Sequence, residues 1–218
     1  VLVCHGYTSK AKHMAGFVNK FYSLGYNVLA ADARAHGDSE GTKIGMGWPE
    51  RFDVIEWIKL IISWDSNAQI ILHGVSMGAA TVLMASGEEL PENVKVIIAD
   101  CGYTSEWDEF KCEANALHIP WFPVLNAASV LSRLRDGYDF KQASALEKVK
   151  QSRIPTLFIH GSDDELVPYS MLDKLYSAAA CEKECLTVNG AGHALSSSVE
   201  PELYWNTVES FIDKYLEK

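Results

Sequence analysis

Short apolar runs alternate with longer amphipathic stretches along the chain. Six runs of four to six residues lack the strict alternation of a strand with one wet face, and they lie at 1–4, 26–31, 69–73, 94–99, 156–160 and 185–188. Such runs are typical of strands covered on both faces. Helices are predicted between them, at 11–24, 49–63, 77–88, 168–180 and 201–216. This order predicts an α/β fold with a mostly parallel, doubly wound sheet and helices on both faces.

The second predicted helix has a recognisable apolar face. Phe52, Ile55, Ile58 and Ile62 recur at helical spacing, and Trp57 lies beside them. A stripe of this kind normally packs against the core. We therefore expect these side chains to be buried.

The regular alternation of strands and helices is interrupted once. More than fifty residues separate the fourth apolar run from the fifth, far more than an ordinary connection needs. Helical patterns at 126–134 and 143–149 indicate that this stretch is folded. We expect one domain over 1–218, with a small helical cap inserted at about 103–145.

Residues 69–81 carry the chemically decisive pattern. They contain a GxSxG sequence at 74–78, which by itself would occur by chance about 0.07 times in a chain of this length. Here an apolar strand enters the pattern and a helix leaves it, and this strand, turn and helix arrangement exposes a serine. Ser76 is the candidate nucleophile, because free amides at the helix start favour a developing negative charge.

A serine hydroxyl needs a base to remove its proton. The chain has seven histidines, and three of them, His5, His73 and His160, end predicted strands directly before a glycine, where we expect structural roles. His193 instead lies in a glycine-rich loop at 189–194, after the last predicted strand. An imidazole in such a loop can reach over the sheet, so His193 is the candidate base.

The acid that orients the base should follow a late strand. Three adjacent acids, Asp163, Asp164 and Glu165, follow the fifth apolar run, and spacing alone does not choose between them. The chain order of serine, acid and histidine is that of the α/β-hydrolases, and it differs from the orders of chymotrypsin and subtilisin.

Charge narrows the range of partners. The chain has 19 basic and 29 acidic residues, for a net charge of −10. Its average field therefore repels phosphate backbones and anionic lipid surfaces, which disfavours nucleic acid as a partner. No apolar run approaches the roughly 20 residues that a membrane-spanning helix needs, so we expect no span in this chain.

The cysteines indicate the cellular compartment of the protein, and two sequence motifs indicate whether it binds a metal or a dinucleotide. Five scattered cysteines fit reduced thiols better than a disulfide framework, which favours the cytoplasm. There is no HExxH pattern for a metal and no GxGxxG pattern for a dinucleotide. The sequence therefore implies neither a metal nor an organic cofactor.

Several short motifs together resemble one known family. They are HG at 5–6, DARAHGDS at 32–39, GVSMG at 74–78, DCGYTS at 100–105, HGSDDELVP at 160–168 and GAGH at 190–193. The whole chain resembles α/β-hydrolases of the serine esterase and peptidase superfamily. Within it, the chain resembles the bacterial YqkD-like hydrolases of unassigned substrate.

The resemblance implies a role for particular residues. In the HGxxDxxVP pattern the acid of the triad is Asp164, with Asp100 as the alternative after the preceding strand. The oxyanion hole would use the backbone amides of Tyr7 and Met77. The triad would then be Ser76, Asp164 and His193.

The chain departs from the family pattern in two places. Ala35 stands where the family usually has glycine, in a loop that the resemblance marks as structural. Relatives also have two or more strands ahead of the one that ends in HG, so we expect leading strands before Val1. Because YqkD-like relatives often begin with a hydrophobic anchor, the resemblance leaves an envelope location open.

The expected activity is two-step hydrolysis of a small ester-like substrate by a carboxylesterase. A peptidase or acyl-thioesterase of the same fold is the alternative, and a binding module that keeps the fold without catalysis is a candidate from another class. Oligomeric state is left open. The expected substrate pocket contains aromatic and aliphatic residues near the cap, namely Tyr103, Trp107, Trp121 and Val167.

Overall fold

The six predicted apolar runs form one sheet in the computed structural model, which describes residues 1–216. The strands are β1 (Leu2–Cys4), β2 (Leu29–Ala31), β3 (Ile70–Val75), β4 (Val94–Asp100), β5 (Thr156–Gly161) and β6 (Lys183–Val188). Their order across the sheet is β2-β1-β3-β4-β5-β6, and every neighbouring pair is parallel. The predicted parallel α/β fold is confirmed.

Helices connect the strands. Within residues 1–216 they are α1 (Ala15–Ser23), α2 (Glu50–Trp64), α3 (Met77–Ala85), α4 (Glu106–Ala116), α5 (Trp121–Asp136), α6 (Ala145–Val149), α7 (Ser170–Ala178), α8 (Ser196–Val199) and α9 (Pro201–Ile212). A 3-10 turn at Ala11–Met14 precedes α1. The sequence did not single out α4 or α8. Among residues 1–216, no helix has the length and hydropathy to cross a bilayer.

The sheet separates two apolar cores, as a doubly wound fold requires. Helices α2, α3, α6 and α7 pack on one face, and α1 and α9 pack on the other. Successive residues of β3 alternate between the two, with Leu72 in the first core and Ile71 in the second. Both faces of the strand are therefore dry, which explains its unbroken apolar run.

The buried face of α2 differs from the predicted stripe. Val54 and Ile58 are buried, whereas Phe52 is half exposed and stacks its ring on the guanidinium of Arg51, 4.0 Å away. Because Val54, Ile58 and Ile61 lie three or four positions apart, they share the inner face, and Phe52 projects from its edge. The prediction that Phe52 lies in the core was wrong.

The long segment between β4 and β5 contains α4, α5 and α6 and is tied together at its base. Ser105 forms an isolated antiparallel bridge with Ser144, and the Glu106 amide donates to the Ala143 carbonyl at 2.9 Å. Ser105 and Ser144 thus lie side by side, with α4 and α5 between them in the chain, and α6 then leads back to the start of β5.

Candidate active site

Ser76 occupies a sharp turn between β3 and α3. Its φ of 56° and ψ of −119° are unusual for a residue with a side chain. The turn is possible because its flanking residues are glycines. A Cβ at Gly74 would lie 2.3 Å from the Gly78 carbonyl oxygen, and a Cβ at Gly78 would lie 2.2 Å from that of Cys4. The backbone is thus too closely packed for any other residue.

Ser76, His193 and Asp164 form a continuous hydrogen-bonded chain. The Ser76 Oγ lies 2.8 Å from Nε2 of His193, and Nδ1 of His193 lies 2.8 Å from Oδ2 of Asp164. A carboxylate can only accept, so Nδ1 carries the ring proton and donates it to Asp164. Nε2 is then free to accept the serine proton. The sequence-predicted nucleophile, base and acid are all brought together.

Asp164 is held as a carboxylate by its surroundings. Its Oδ1 accepts the backbone amides of Leu166 at 3.0 Å and Val167 at 2.9 Å, and Nε2 of His160 lies 3.3 Å from its Oδ2. Burial alone would raise the pKa of Asp164, but hydrogen bonds from His160 and His193 outweigh it and hold the pKa well below the usual range. Asp164 therefore stays charged at neutral pH, next to the imidazole.

The other aspartate considered from the sequence, Asp100, is not the hydrogen-bond partner of His193. It ends β4 and is fully buried, and burial raises its pKa to about 6. Asp163 is exposed and accepts a hydrogen bond from the Ser162 hydroxyl. Of the three late acids and Asp100, the structure brings Asp164 to His193.

The loop after β1 lies directly beside the nucleophile. A Cβ at Gly6 would be 3.3 Å from the Cβ of Ser76, and Tyr7 lines the same pocket as Ser76. His5 fixes this loop, because its Nε2 accepts the Ala33 amide at 2.9 Å and its Nδ1 donates to the Gly6 carbonyl. Burial lowers the pKa of His5, in keeping with this neutral, structural role.

A pocket of about 390 Å³ opens at Ser76. Its lining consists of Tyr7, Ile44, Met46, Ser76, Met77, Tyr103, Glu109, Phe110, Glu113 and Leu166. Among the side chains predicted for the pocket, Tyr103 is present, with its hydroxyl donating to the Met46 carbonyl at 2.9 Å.

The other three predicted pocket residues lie outside this lining. Trp107 and Trp121 pack edge to face, with ring centroids 6.4 Å apart, so each indole covers apolar surface of the other. Val167 is fully buried below Asp164, and its carbonyl lies 2.8 Å from Nε2 of His160. The aliphatic neighbour that reaches the pocket is Leu166.

The sequence missed two buried acids of α4. Glu109 lines the pocket and Glu106 lies one turn earlier, and in each the Oε2 atom is buried with no hydrogen-bond partner. Burial raises both pKa values to about 8, so both carboxyls are largely protonated at neutral pH. In the sequence, acids at 106, 108, 109 and 113 resemble a solvated helix face, so no local signal marks these two.

One group of potential metal ligands was found within residues 1–216. It consists of Cys101, Asp164 and His193, whose ligand atoms lie within 4.8 Å of one another. Burial raises the pKa of the Cys101 thiol well above its usual range, which opposes the thiolate that a metal would need. Because Asp164 and His193 already bond to each other, this group belongs to the hydrogen-bonded chain described above.

Comparison with known proteins gives a family match and several relatives. A family model described as "Serine aminopeptidase, S33" matches residues 1–144, more than half of the chain. The uncharacterized protein YqkD of Bacillus subtilis is 30% identical over 215 residues, which cover 98% of this chain and 70% of that protein. Lysophosphatidylserine lipase ABHD12 of Macaca fascicularis is 30% identical over 183 residues, covering 83% of this chain and 45% of that one.

A solved structure supports the same grouping at the level of the fold. The Pyrococcus furiosus esterase Pf2001 superposes with a TM-score of 0.80 at 24% identity, over 99% of this chain and 82% of that chain. Identity at this level shows a shared fold. Taken with the family model and the relative at 30% identity, it leads to one conclusion: the chain belongs to the α/β-hydrolases of the serine aminopeptidase, S33, family.

Proposed function

We propose that the protein is a serine hydrolase that cleaves an ester-like acyl bond, with carboxylic esters as its substrates. The observation that carries this proposal is the hydrogen-bonded chain of Ser76, His193 and Asp164 at the mouth of a pocket. A relative of this chain has lipase in its name and a protein of the same fold has esterase in its name, which favours an acyl substrate over other hydrolase chemistry.

In the proposed first step, Nε2 of His193 takes the Ser76 proton while Oγ attacks the substrate carbonyl carbon. The carbonyl oxygen becomes an oxyanion, and the amides of Tyr7 and Met77 donate hydrogen bonds to it. Collapse of this intermediate breaks the ester bond, and His193 returns the proton to the leaving alcohol. Water then attacks the acyl-enzyme by the same route and releases the acid.

The segment between β4 and β5 would act as the cap. Phe110 and Glu113 of α4 and Tyr103 before it contribute to the pocket lining, while Ser76 and Met77 come from the sheet edge. A mostly apolar lining beside the nucleophile suits an apolar acyl group. We therefore assign 103–145 to substrate enclosure.

Labelling with a fluorophosphonate probe tests the nucleophile. We expect one covalent adduct on Ser76 and hydrolysis of p-nitrophenyl butyrate, and we expect Ser76→Ala to abolish the adduct and lower kcat by about 10³-fold or more. Ser66→Ala, at an exposed position, is the matched control and should label normally. A folded wild-type protein that neither labels nor hydrolyses esters would favour the binding module.

The two acids of the pocket favour a second candidate function, cleavage of an aminoacyl bond. Glu109 and Glu113 lie one helical turn apart and face the pocket without a basic residue in its lining. A protonated amine on the substrate would supply the missing cation and ionise Glu109. The family description points the same way.

Substrate competition separates the two candidates. If the pocket takes amines, leucine p-nitroanilide or leucine p-nitrophenyl ester is turned over with a higher kcat/KM than the matching neutral acyl compound. Glu109→Gln should then lower kcat/KM about tenfold or more for the amine while changing it little for the neutral substrate. Equal losses for both substrates, or no turnover of the amine, would exclude this candidate.

A further inference from the structure

The loop after β1 makes a tight turn over residues 6–9. The amide of Ser9 donates to the Gly6 carbonyl at 3.2 Å, so Tyr7 and Thr8 occupy the two central positions of the turn. Thr8 has a φ of 57°, in the left-handed region that a β-branched residue rarely adopts and that turns normally give to glycine or asparagine. The turn therefore needs contacts that hold Thr8 in this conformation.

Side-chain packing does not hold the two central residues, because both face solvent. The Tyr7 side chain is 53% exposed, and Thr8 is exposed as well. The Thr8 hydroxyl donates to the Tyr7 carbonyl at 2.7 Å, which is a bond within the turn itself. Thr8 is tied to another part of the chain through its backbone amide, which donates to Nε2 of His36 at 3.2 Å.

The two backbone partners of His36 determine where its ring proton lies. An amide can only donate, so Nε2 accepts from Thr8, and a carbonyl can only accept, so Nδ1 donates to the Arg34 carbonyl at 3.0 Å. The ring is therefore neutral, with its proton on Nδ1. His36 is 5% exposed, so the ring is packed in place as well as hydrogen-bonded. It joins the loop after β1 to the loop after β2.

The loop at 32–39 gives His36 a firm support. The Asp32 carboxylate accepts the Ala11 amide at 2.6 Å and the Asp38 amide at 2.9 Å, and the Ser39 hydroxyl donates to the Asp32 carbonyl at 2.7 Å. The bonds from the Asp38 and Ala11 amides lower the pKa of Asp32, so the carboxylate stays charged at neutral pH. His36 is thus presented by a loop that is tied down independently of the turn at 6–9.

His5 holds the peptide group on the other side of Tyr7. Its Nδ1 donates to the Gly6 carbonyl at 2.8 Å, and the N–H of that same peptide group belongs to Tyr7. The carbonyl and N–H of a trans peptide point in opposite directions, so this bond turns the Tyr7 amide away from His5. Because His36 holds the next peptide group through Thr8, the two imidazoles, 5.0 Å apart, fix the backbone on both sides of Tyr7.

We propose that His36 is a positioning residue for the oxyanion hole, in which its Nε2 holds the Thr8 amide and so keeps the Tyr7 amide aimed at the oxyanion. The proposal rests on the proposed function, which assigns the Tyr7 amide to that hole. His36 is not among the residues that line the pocket, so it acts through the turn. A displaced donor weakens binding of the transition state and leaves binding of the substrate nearly unchanged.

Two amide substitutions of His36 form a matched pair. Glutamine can bring its oxygen to the place of Nε2 and accept from Thr8, whereas asparagine is one methylene shorter and keeps only the donor to the Arg34 carbonyl. We expect His36→Asn to lower kcat for p-nitrophenyl butyrate about 10²-fold, with KM changed less than about threefold. His36→Gln should keep kcat within about fivefold of the wild type.

A trifluoromethyl ketone with a butyl chain distinguishes positioning from a general loss of structure. Ser76 adds to its carbonyl, and the oxygen becomes an oxyanion in the hole, so the inhibition constant should rise about 10²-fold in His36→Asn, in parallel with the fall in kcat/KM. Urea unfolding checks that each variant is folded. His13→Asn changes an exposed histidine just after the same turn and is the matched control, with wild-type kcat and inhibition.

Nitrogen NMR of the wild-type imidazoles tests the hydrogen bond without any variant. We expect His36 to be neutral at pH 7 with its proton on Nδ1, and a proton on Nε2 would overturn the proposal. Equal losses of kcat in His36→Asn and His36→Gln would also overturn it, as would a fall in kcat without weaker inhibition. An inactive wild type contradicts the proposed function and this proposal with it, whereas an active wild type with a fully active His36→Asn contradicts this proposal alone.

Discussion

At the scale of single residues, two buried aspartates at the ends of neighbouring strands differ in what surrounds them. Asp164 receives two backbone amides and the ring proton of His193. Asp100 is sealed at the end of β4, where burial raises its pKa to about 6. The first site stabilises a charge and the second opposes one, so the two residues should respond differently to loss of that charge.

Amide substitutions compare them directly. Asp164→Asn keeps an oxygen for the amides of Leu166 and Val167 but presents an NH₂ group to His193, which forces the wrong ring tautomer. We expect kcat for p-nitrophenyl butyrate to fall about 10⁴-fold. Asp100→Asn should change kcat less than about tenfold. A larger loss for Asp100→Asn than for Asp164→Asn would mean that Asp100 serves as the acid.

At the scale of elements, the strands and the turn at Ser76 could be predicted because their signals are local. An unbroken apolar run reports burial on both faces, and the glycines at 74 and 78 reflect a backbone approach that tolerates no Cβ. The chain order of serine, acid and histidine also predicted that loops far apart in the sequence meet at one site. These features depend little on how the helices pack, so the sequence was sufficient for them.

The segment between β4 and β5 could not be predicted in the same detail, because its helices do not follow the usual rule for which face is buried. Helix α4 buries Glu106 and Glu109, and α5 buries Ser129 and Ser132 while exposing Leu131 and Leu134. Periodicity locates such helices but assigns their faces wrongly. For the same reason Trp107, placed near the pocket by its aromatic character, instead packs on a neighbouring indole.

At the scale of the whole molecule, buried acids make stability depend on pH. The unfolded chain loses the Glu106 proton near its ordinary pKa of 4.5, whereas the folded protein keeps it up to about pH 8. Between these values the folded state binds the additional proton, so this group lowers the free energy of unfolding as pH rises. Its contribution is most favourable below pH 4.5 and is lost towards pH 8.

Glu106→Gln isolates this contribution, because Glu106 lies outside the pocket lining. We expect the stability of the variant relative to the wild type to increase by about 1.5 kcal/mol between pH 6.5 and pH 8, as measured by urea unfolding. Glu92→Gln, at an exposed position, should show no such trend. A difference between Glu106→Gln and the wild type that stays constant with pH would mean that Glu106 is ionised in the folded protein.

The bridge between Ser105 and Ser144 has a consequence for how such a protein can diversify. Because Ser105 and Ser144 lie as close together as the two arms of a hairpin, the residues between them can be lengthened, shortened or exchanged without moving β4 or β5. Ser76, Asp164 and His193 lie outside the segment and keep their positions. Hydrolases that descend from one ancestor can therefore change their substrates and their locations through changes confined to a single stretch of chain.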